Sequence, residues 1–276
     1  MMRKSIAAAP LKVGIVGLGV IGKIVSSALD EGIPGLSLAA ISVRDAAKAA
    51  ASLGTLRTPV PLLSIGELVA AADIVFDCAV AAAHIDIAHP AIAAGKTFLT
   101  MNSGALLHHP ELFDLAEKTG ARIVVPSGGI VGFDGIRALA RAGFDAVTLV
   151  SRKPPESLIG APHIVREGFD LSGLDAPMLV FEGSAAEAAR AFPANANVAA
   201  TLSLATLGPD KTRVEMWADP AVDCIYQEIL VKSPAAELRI EVKSYKMPDN
   251  PRTGTLTPLS AIAALRSLVP ATRIGG

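Results

Sequence analysis

The segment Gly17-Leu18-Gly19-Val20-Ile21-Gly22 sets three glycines at G-x-G-x-x-G spacing directly after the apolar run Lys12-Val13-Gly14-Ile15-Val16. A strand has to end there and a helix has to begin almost at once. The first glycine permits the tight turn, the second lets the backbone come close to a ligand, and the third lets the helix pack closely on the strand. The start of that helix offers unpaired backbone amides and a partial positive charge to an anion. Gly17, Gly19, Val20, Ile21 and Gly22 are therefore candidate contacts to the pyrophosphate of a dinucleotide.

The rest of the first half obeys the same grammar. Short β-branched runs alternate with alanine-rich stretches of helical length: strands at Lys12 to Val16, Leu36 to Val43, Ile74 to Cys78, Thr97 to Met101 and Arg122 to Val125, with helices between them at Val20 to Glu31, Ala46 to Leu53, Ile65 to Ala71, Ile85 to Ala94 and Pro110 to Thr119. This alternation predicts a doubly wound, parallel α/β (Rossmann) domain over residues 11–126, preceded by a flexible tail over 1–10. Beyond it, glycines cluster at Ser127-Gly128-Gly129-Ile130-Val131-Gly132, and β-rich segments follow at Ala146 to Ser151, Thr212 to Ala218, Ile225 to Val231 and Leu238 to Val242. Such a pattern predicts a second, α+β domain with a mixed or antiparallel sheet over 127–256. A last helix, about Leu259 to Leu268 within 257–269, carries Leu259, Ile262, Ala263 and Leu265 on one face and is expected to pack back on the first domain.

Hydrophobic residues make up 51% of the 276 residues, yet the most apolar stretch, Ala70 to Gly95, is interrupted by Asp73, Asp77, Asp86 and two histidines, so no membrane span is expected. A net charge of -1 with no basic block argues against nucleic acid as a partner. Two cysteines, Cys78 and Cys224, make no disulfide framework and fit a reducing cytoplasm. His89, His108, His109 and His163 have no metal-ligand spacing, and no metal site is expected.

Cofactor type should be legible where the second strand ends, because an acidic residue there accepts from a ribose 2′-hydroxyl and repels a 2′-phosphate. The chain reads Ser42-Val43-Arg44-Asp45. Ser42 and Arg44 suit a 2′-phosphate, which favours NADP over NAD, while Asp45 either serves the ribose or begins the next helix. Cys78 and Ala79 end the third strand on the carboxyl side of the sheet, where the ribose and nicotinamide of such cofactors lie. His84 follows closely, as a proton relay or as a capping or exposed residue.

Four segments of the second half resemble the aspartate dehydrogenase family in order and spacing: Ser127-Gly128-Gly129-Ile130-Val131-Gly132-Phe133-Asp134, Ser151-Arg152-Lys153-Pro154-Pro155, Phe181-Glu182-Gly183-Ser184-Ala185 running on to Phe192-Pro193-Ala194-Asn195-Ala196-Asn197-Val198-Ala199-Ala200, and Asn250-Pro251-Arg252-Thr253. Together with the glycine motif and Asn102-Ser103-Gly104-Ala105-Leu106 they span most of the chain. The resemblance implies a homodimeric enzyme that oxidises an amino acid such as L-aspartate to its imine with NAD or NADP. It also implies nicotinamide contacts at Gly129 and Asn197; Ser127, Asn195, Lys153 and Gln227 are candidate substrate contacts. A glycine turn lets amides approach the ring, and an asparagine both donates to and accepts from a carboxamide. Lys153, in extended backbone before two prolines, is either a partner for a substrate carboxylate or part of a solvated basic loop.

One departure stands out. Where the family carries an asparagine and, two residues on, a general acid/base histidine followed by Glu-Ile, this chain has Ile225, Tyr226, Gln227, Glu228 and Ile229. Glutamine exchanges no proton near neutral pH. Either Tyr226, Lys153 or His84 transfers the proton, although Tyr226 would point away from Gln227 on a strand, or the enzyme reduces preformed imines with Gln227 only orienting them. The alternatives of another class are a cofactor-binding sensor without turnover, and a carbonyl or alcohol dehydrogenase on the same scaffold.

Overall fold

A computed structural model of the chain describes residues 9–193, 196–247 and 250–269; the first eight residues of the expected tail, and Asn195, lie outside the described residues. Strand β1 (Leu11–Val16) buries Val13 and Ile15 completely and is followed by helix α1 (Val20–Gly32). Then come β2 (Leu36–Ser42), α2 (Ala46–Leu53), α3 (Ile65–Ala71), β3 (Ile74–Asp77), α4 (His84–Ala93), β4 (Thr97–Thr100), a single turn α5 (Ser103–Leu106), α6 (Glu111–Thr119) and β5 (Arg122–Val124). Strands β1 to β5 pair in parallel in the order β2-β1-β3-β4-β5. The chain runs outward from β1 to β2 and then crosses to β3 on the other side of β1. The carboxyl ends of β1 and β3 therefore flank the point where the winding reverses, which is where open α/β sheets bind ligands.

Local chemistry explains why these elements form. All four residues of β3 are buried, as a strand covered on both faces requires. Gly14 lets α3 lie against β1, since a Cβ on it would stand 2.5 Å from Leu68 Cδ2. A capping box starts α3: Ser64 Oγ accepts from the Glu67 amide, and the Glu67 carboxylate accepts from the Ser64 amide.

The chain continues through α7 (Phe133–Leu139), β6 (Ala146–Lys153), α8 (Pro162–Glu167), β7 (Met178–Ser184), α9 (Ala185–Ala191), α10 (Ala196–Leu204), β8 (Arg213–Ala218), β9 (Ile225–Lys232), β10 (Glu237–Ser244), β11 (Lys246–Met247), β12 (Asn250–Gly254) and α11 (Leu256–Arg266). Five of these strands make a mixed sheet in the order β10-β9-β6-β8-β7, with β6 and β8 parallel and the other neighbours antiparallel. One face of it is apolar, with Val147, Leu149, Val214, Ile229 and Val231 packed among Ile136, Leu139, Ala185, Ala188 and Leu202 from α7, α9 and α10. Hydrophobic periodicity does not announce β7 or α7 to α10, which are short. The alanines of α9 leave no sharp contrast between its faces, and a second capping box, Ser184 with Glu187, marks its start.

The described residues fall into two compact units: 9–102, His109–Pro126 and 261–269 in one, and Ser103–His108 with Ser127–Ser260 in the other. The α5 turn, which the sequence places with the first domain, thus goes with the second. The cause is a set of long-range bonds to α10: Ser103 Oγ donates to the Asn197 carbonyl (2.8 Å), the Gly104 amide to Asn197 Oδ1 (3.0 Å), and Thr201 Oγ1 to Ser103 Oγ (2.8 Å). In the first unit, Ala261 and Leu265 of α11 are fully buried in a core with Val13, Ile15, Val25, Leu29, Ile41 and Phe76. No helix among the described residues is long and apolar enough to cross a membrane.

The last helix therefore joins the first unit's core from Ala261 onward, through Ala261 and Leu265, whereas Leu259 and Ala263 of its expected apolar face are exposed. Replacing Leu265 by Ala should destabilise that unit by about 2–5 kcal/mol, the usual range for a leucine removed from a closed core. Urea denaturation of the variant against the parent protein measures it, and a loss below about 1 kcal/mol would show that α11 contributes little there.

Candidate active site

In the first unit the turn after β1 has the geometry that its glycines imply. Gly17 has φ +97°, and a Cβ on it would stand 2.7 Å from the Ala79 nitrogen. A Cβ on Gly22 would stand 2.2 Å from the Gly17 carbonyl oxygen and 3.0 Å from Cys78 Sγ, so α1 lies as close to the turn as atoms allow. Around Gly19, by contrast, a Cβ would meet nothing within 4 Å. The start of α1 has no side-chain cap and no acidic residue in its first turn, which leaves its amides open to an external anion. Tight at Gly17 and Gly22 and open at Gly19, this cradle fits a dinucleotide pyrophosphate.

Cys78 ties the end of β3 to this turn, its Sγ donating to the Gly17 carbonyl at 3.1 Å. Burial, and then the neighbouring Asp77 carboxylate, push the thiol pKa well up, so it stays protonated and donates. At the end of β2 Ser42 is buried and its carbonyl accepts from the Gly17 amide at 2.9 Å, while Arg44 is exposed. Asp45 caps α2 and accepts from the Lys48 amide at 3.0 Å. Of its two readings, the start of a helix is what the fold displays.

The residue that sequence reasoning missed here is Asp77. Its carboxylate is fully buried at the carboxyl end of β3 and takes up every donor around it: His84 Nδ1 at 2.7 Å, Thr100 Oγ1 at 2.9 Å, Asn102 Nδ2 at 3.1 Å to both oxygens, and the Ala79 amide at 3.2 Å. His84 is not exposed: its amide caps the short turn Ala81–Ala83 by donating to the Ala81 carbonyl, and its side chain is 1% exposed with the ring against Phe98. A signal was present in the sequence: an aspartate closing the apolar run Ile74-Val75-Phe76 is a charge that the sheet must bury and pair.

In the second unit the apolar face of the mixed sheet turns polar at one end. Ser151 lies directly across from Gln227 in the β6–β9 register, and Lys153 is two residues along β6, so all three share a face; each is under a tenth exposed. Burial, and then the charge of Lys246, lower the Lys153 pKa to about 8. Gly129 of the Ser127-Gly128-Gly129 turn lies beside Gln227: a Cβ on it would stand 3.1 Å from Gln227 Oε1 and 3.6 Å from Val198. Ser127 accepts from the Ile130 amide through its carbonyl, and Gly128 donates to Ser260 Oγ at 3.0 Å, which fixes the turn. Asn197, on the first turn of α10, has its Oδ1 engaged by the Gly104 amide.

Tyr226 is not brought to this cluster. Strand alternation turns it to the other face, with Lys243 6.0 Å from its ring centre, and burial followed by the charges of Glu241 and Glu228 raises its pKa. The structure thus does not bring Tyr226 and Gln227 together on one face.

Comparison with known proteins agrees with both halves of the chain. A family profile described as "Homoserine dehydrogenase, NAD binding domain" matches residues 17–126, and one described as "Aspartate dehydrogenase, C-terminal" matches 134–268. An L-aspartate dehydrogenase of Bradyrhizobium diazoefficiens is 43% identical over 266 residues, covering 96% of this chain and 94% of that protein. One from Methanosarcina mazei is 38% identical over 269 residues, covering 96% and 99%. The crystal structure of aspartate dehydrogenase from Thermotoga maritima has the same fold, with a TM-score of 0.71 at 24% identity over 96% of this chain and 99% of that one. With a dinucleotide cradle in one unit, a buried Ser-Lys-Gln cluster in the other, and relatives matched along nearly the whole length, the chain belongs to the aspartate dehydrogenase family of oxidoreductases.

Proposed function

We propose that the protein oxidises L-aspartate at its C–N bond, and forms it from oxaloacetate and ammonia in reverse, with NADP(H) preferred over NAD(H). One observation carries this: Lys153 is a buried cation on the sheet face that also presents Ser151 and Gln227, in a chain whose relatives at 43% and 38% identity are named L-aspartate dehydrogenases. A desolvated ammonium holds a carboxylate more strongly than a solvated one does. In our assignment Lys153 takes a substrate carboxylate, Gln227 accepts from the amino group through Oε1, and Ser127 and Asn195 add polar contacts. Tyr226, on the opposite face, takes no part.

The Gly17 to Gly22 turn and the start of α1, beside Cys78 and Ala79, would hold the dinucleotide pyrophosphate; nicotinamide contacts at Gly129 and Asn197 rest on the family resemblance alone. When bound, the nicotinamide accepts the hydride that leaves Cα. The amino nitrogen gives up a proton, and water then converts the imine to oxaloacetate and ammonia. Gln227 has no proton to exchange, so it orients the nitrogen and water carries the proton. Ser42 and Arg44 support a 2′-phosphate, and Asp45, committed to its cap, is not offered to a ribose. The enzyme acts as a cytoplasmic homodimer, a compartment supported by two free cysteines, Cys78 and Cys224.

The deciding assay follows NADPH oxidation with oxaloacetate in the presence and absence of ammonia, with NADH in parallel. Turnover that requires ammonia and favours NADPH is expected. Reduction of oxaloacetate without ammonia would make the protein a carbonyl or alcohol dehydrogenase, activity on preformed cyclic imines alone would make it an imine reductase, and cofactor binding without turnover would make it a sensor.

Three variants sharpen the assignment. Gly19→Ala should fold with an unchanged Tm, because its Cβ meets no protein atom within 4 Å, yet weaken binding of either dinucleotide at least about tenfold by filling the space meant for pyrophosphate. Arg44→Ala should weaken NADPH about 10- to 100-fold, the worth of a lost charged hydrogen bond, and leave NADH nearly unchanged. Lys153 is cationic below pH 8 and neutral above it, so KM for L-aspartate should climb as pH rises through 8. In Lys153→Arg, whose charge persists, KM should stay flat across that range.

A further inference from the structure

The buried cluster around Asp77 is not explained by the chemistry assigned above, and its cost calls for a reason. An ionised carboxylate with no exposure is tolerated only when its lone pairs are taken by donors. Asp77 has them from four residues, three of which reach it by side chains: His84 at the start of α4, Thr100 at the end of β4 and Asn102 just beyond it. Its Oδ1 also takes the Ala79 amide at 3.2 Å, and the Ala79 carbonyl accepts from Asn102 Nδ2 at 3.1 Å. Ala79 is thus held at both its N–H and its C=O by the same network. This is the residue that lies against Gly17, where even a Cβ would stand 2.7 Å from the Ala79 nitrogen and 2.8 Å from its Cα.

His84 contributes one interaction at a price. With Nδ1 on the carboxylate, Nε2 is buried and has no hydrogen-bond partner among the described residues. An orphaned buried polar atom costs on the order of 1–3 kcal/mol, and a leucine would fill the same space without it. Stability alone does not account for a histidine there.

We propose that His84 is a positioning residue: through the Asp77 carboxylate it fixes the loop Cys78–Val80 in the place where that loop backs the glycine turn and receives the ribose-nicotinamide end of the dinucleotide. His84 itself touches neither cofactor nor substrate. This rests on the dinucleotide assignment of the turn made above.

The test is a fluorescence titration of NADPH into the purified protein and into His84→Leu and His84→Asn, with kcat and both KM values measured alongside. His84→Leu removes the donor and keeps the bulk, while His84→Asn keeps an amide nitrogen near the position of Nδ1. We expect His84→Leu to weaken NADPH at least fivefold with KM for L-aspartate unchanged at saturating cofactor, and His84→Asn to restore binding to within twofold. Unchanged NADPH binding in His84→Leu, or equal damage in both variants, overturns the proposal. If His84→Leu does not fold, Thr100→Val, which takes another donor from Asp77 Oδ2 at constant shape, decides: a Kd raised threefold or more supports the proposal and an unchanged Kd overturns it. Failure of the unaltered protein to bind either NADPH or NADH overturns the dinucleotide assignment, and this inference with it, whereas normal binding by the parent and the variants alike overturns this inference alone.

Discussion

The first unit depends on a backbone approach at its switch point. The turn at Gly17 presses on Ala79 so closely that no side chain fits between them, and Gly22 brings α1 onto the same turn. Three consequences follow from that contact. Helix α1 points its uncapped amides along the carboxyl end of the sheet. The Gly17 amide, bonded to the Ser42 carbonyl, brings the end of β2 to the same spot. Cys78, held as a thiol by burial, donates to the Gly17 carbonyl and closes the arrangement from the β3 side. Glycines at the first and third positions of the motif are steric necessities, whereas the second has open space around it.

The second unit solves a different problem. Its sheet must bury one face against α7, α9 and α10, and strand alternation delivers Val147, Leu149, Ile229 and Val231 for that purpose. At the end of β6 the same alternation carries Ser151 and Lys153 onto that face, and the antiparallel register sets Gln227 opposite Ser151. The period of two that builds the core therefore also determines which polar groups share a site and which do not. Tyr226, one residue away, goes to the other side among Lys243, Glu228 and Glu241. Keeping Lys153 out of water brings its pKa down to about 8, so burial at this point tunes charge as well as position.

Both units join elements far apart in sequence, and this is where reading the chain alone reached its limit. The glycine motif, the parallel strands and the helices between them are local patterns, and α2 and α3 were legible to the residue because their caps, Asp45 and Ser64, are local too. The α5 turn was not. Its place with the second unit comes from bonds between Ser103 or Gly104 and Asn197 or Thr201, more than ninety residues away. In the sequence His84 reads as a proton relay or as a capping or exposed residue. Only the fold brings it 2.7 Å from Asp77 and shuts both from water. That Gln227 departs from the resemblance could be noticed in the sequence, but that it is buried beside Ser151 and Gly129 could not.

The alternation of strands and helices in the first unit, the glycine turn, the two-part architecture and the family follow from the sequence by itself, because each is written in spacing: glycines at set intervals, apolar residues at period two or 3.6, and short motifs in register. Which charges are buried, which donors meet which acceptors, and which face of a strand a residue serves were decided by the tertiary structure. Burial and hydrogen bonding are set by distance in space, and a chain that folds β1 against β3, or α5 against α10, brings together residues whose separation along the sequence says nothing about their contact.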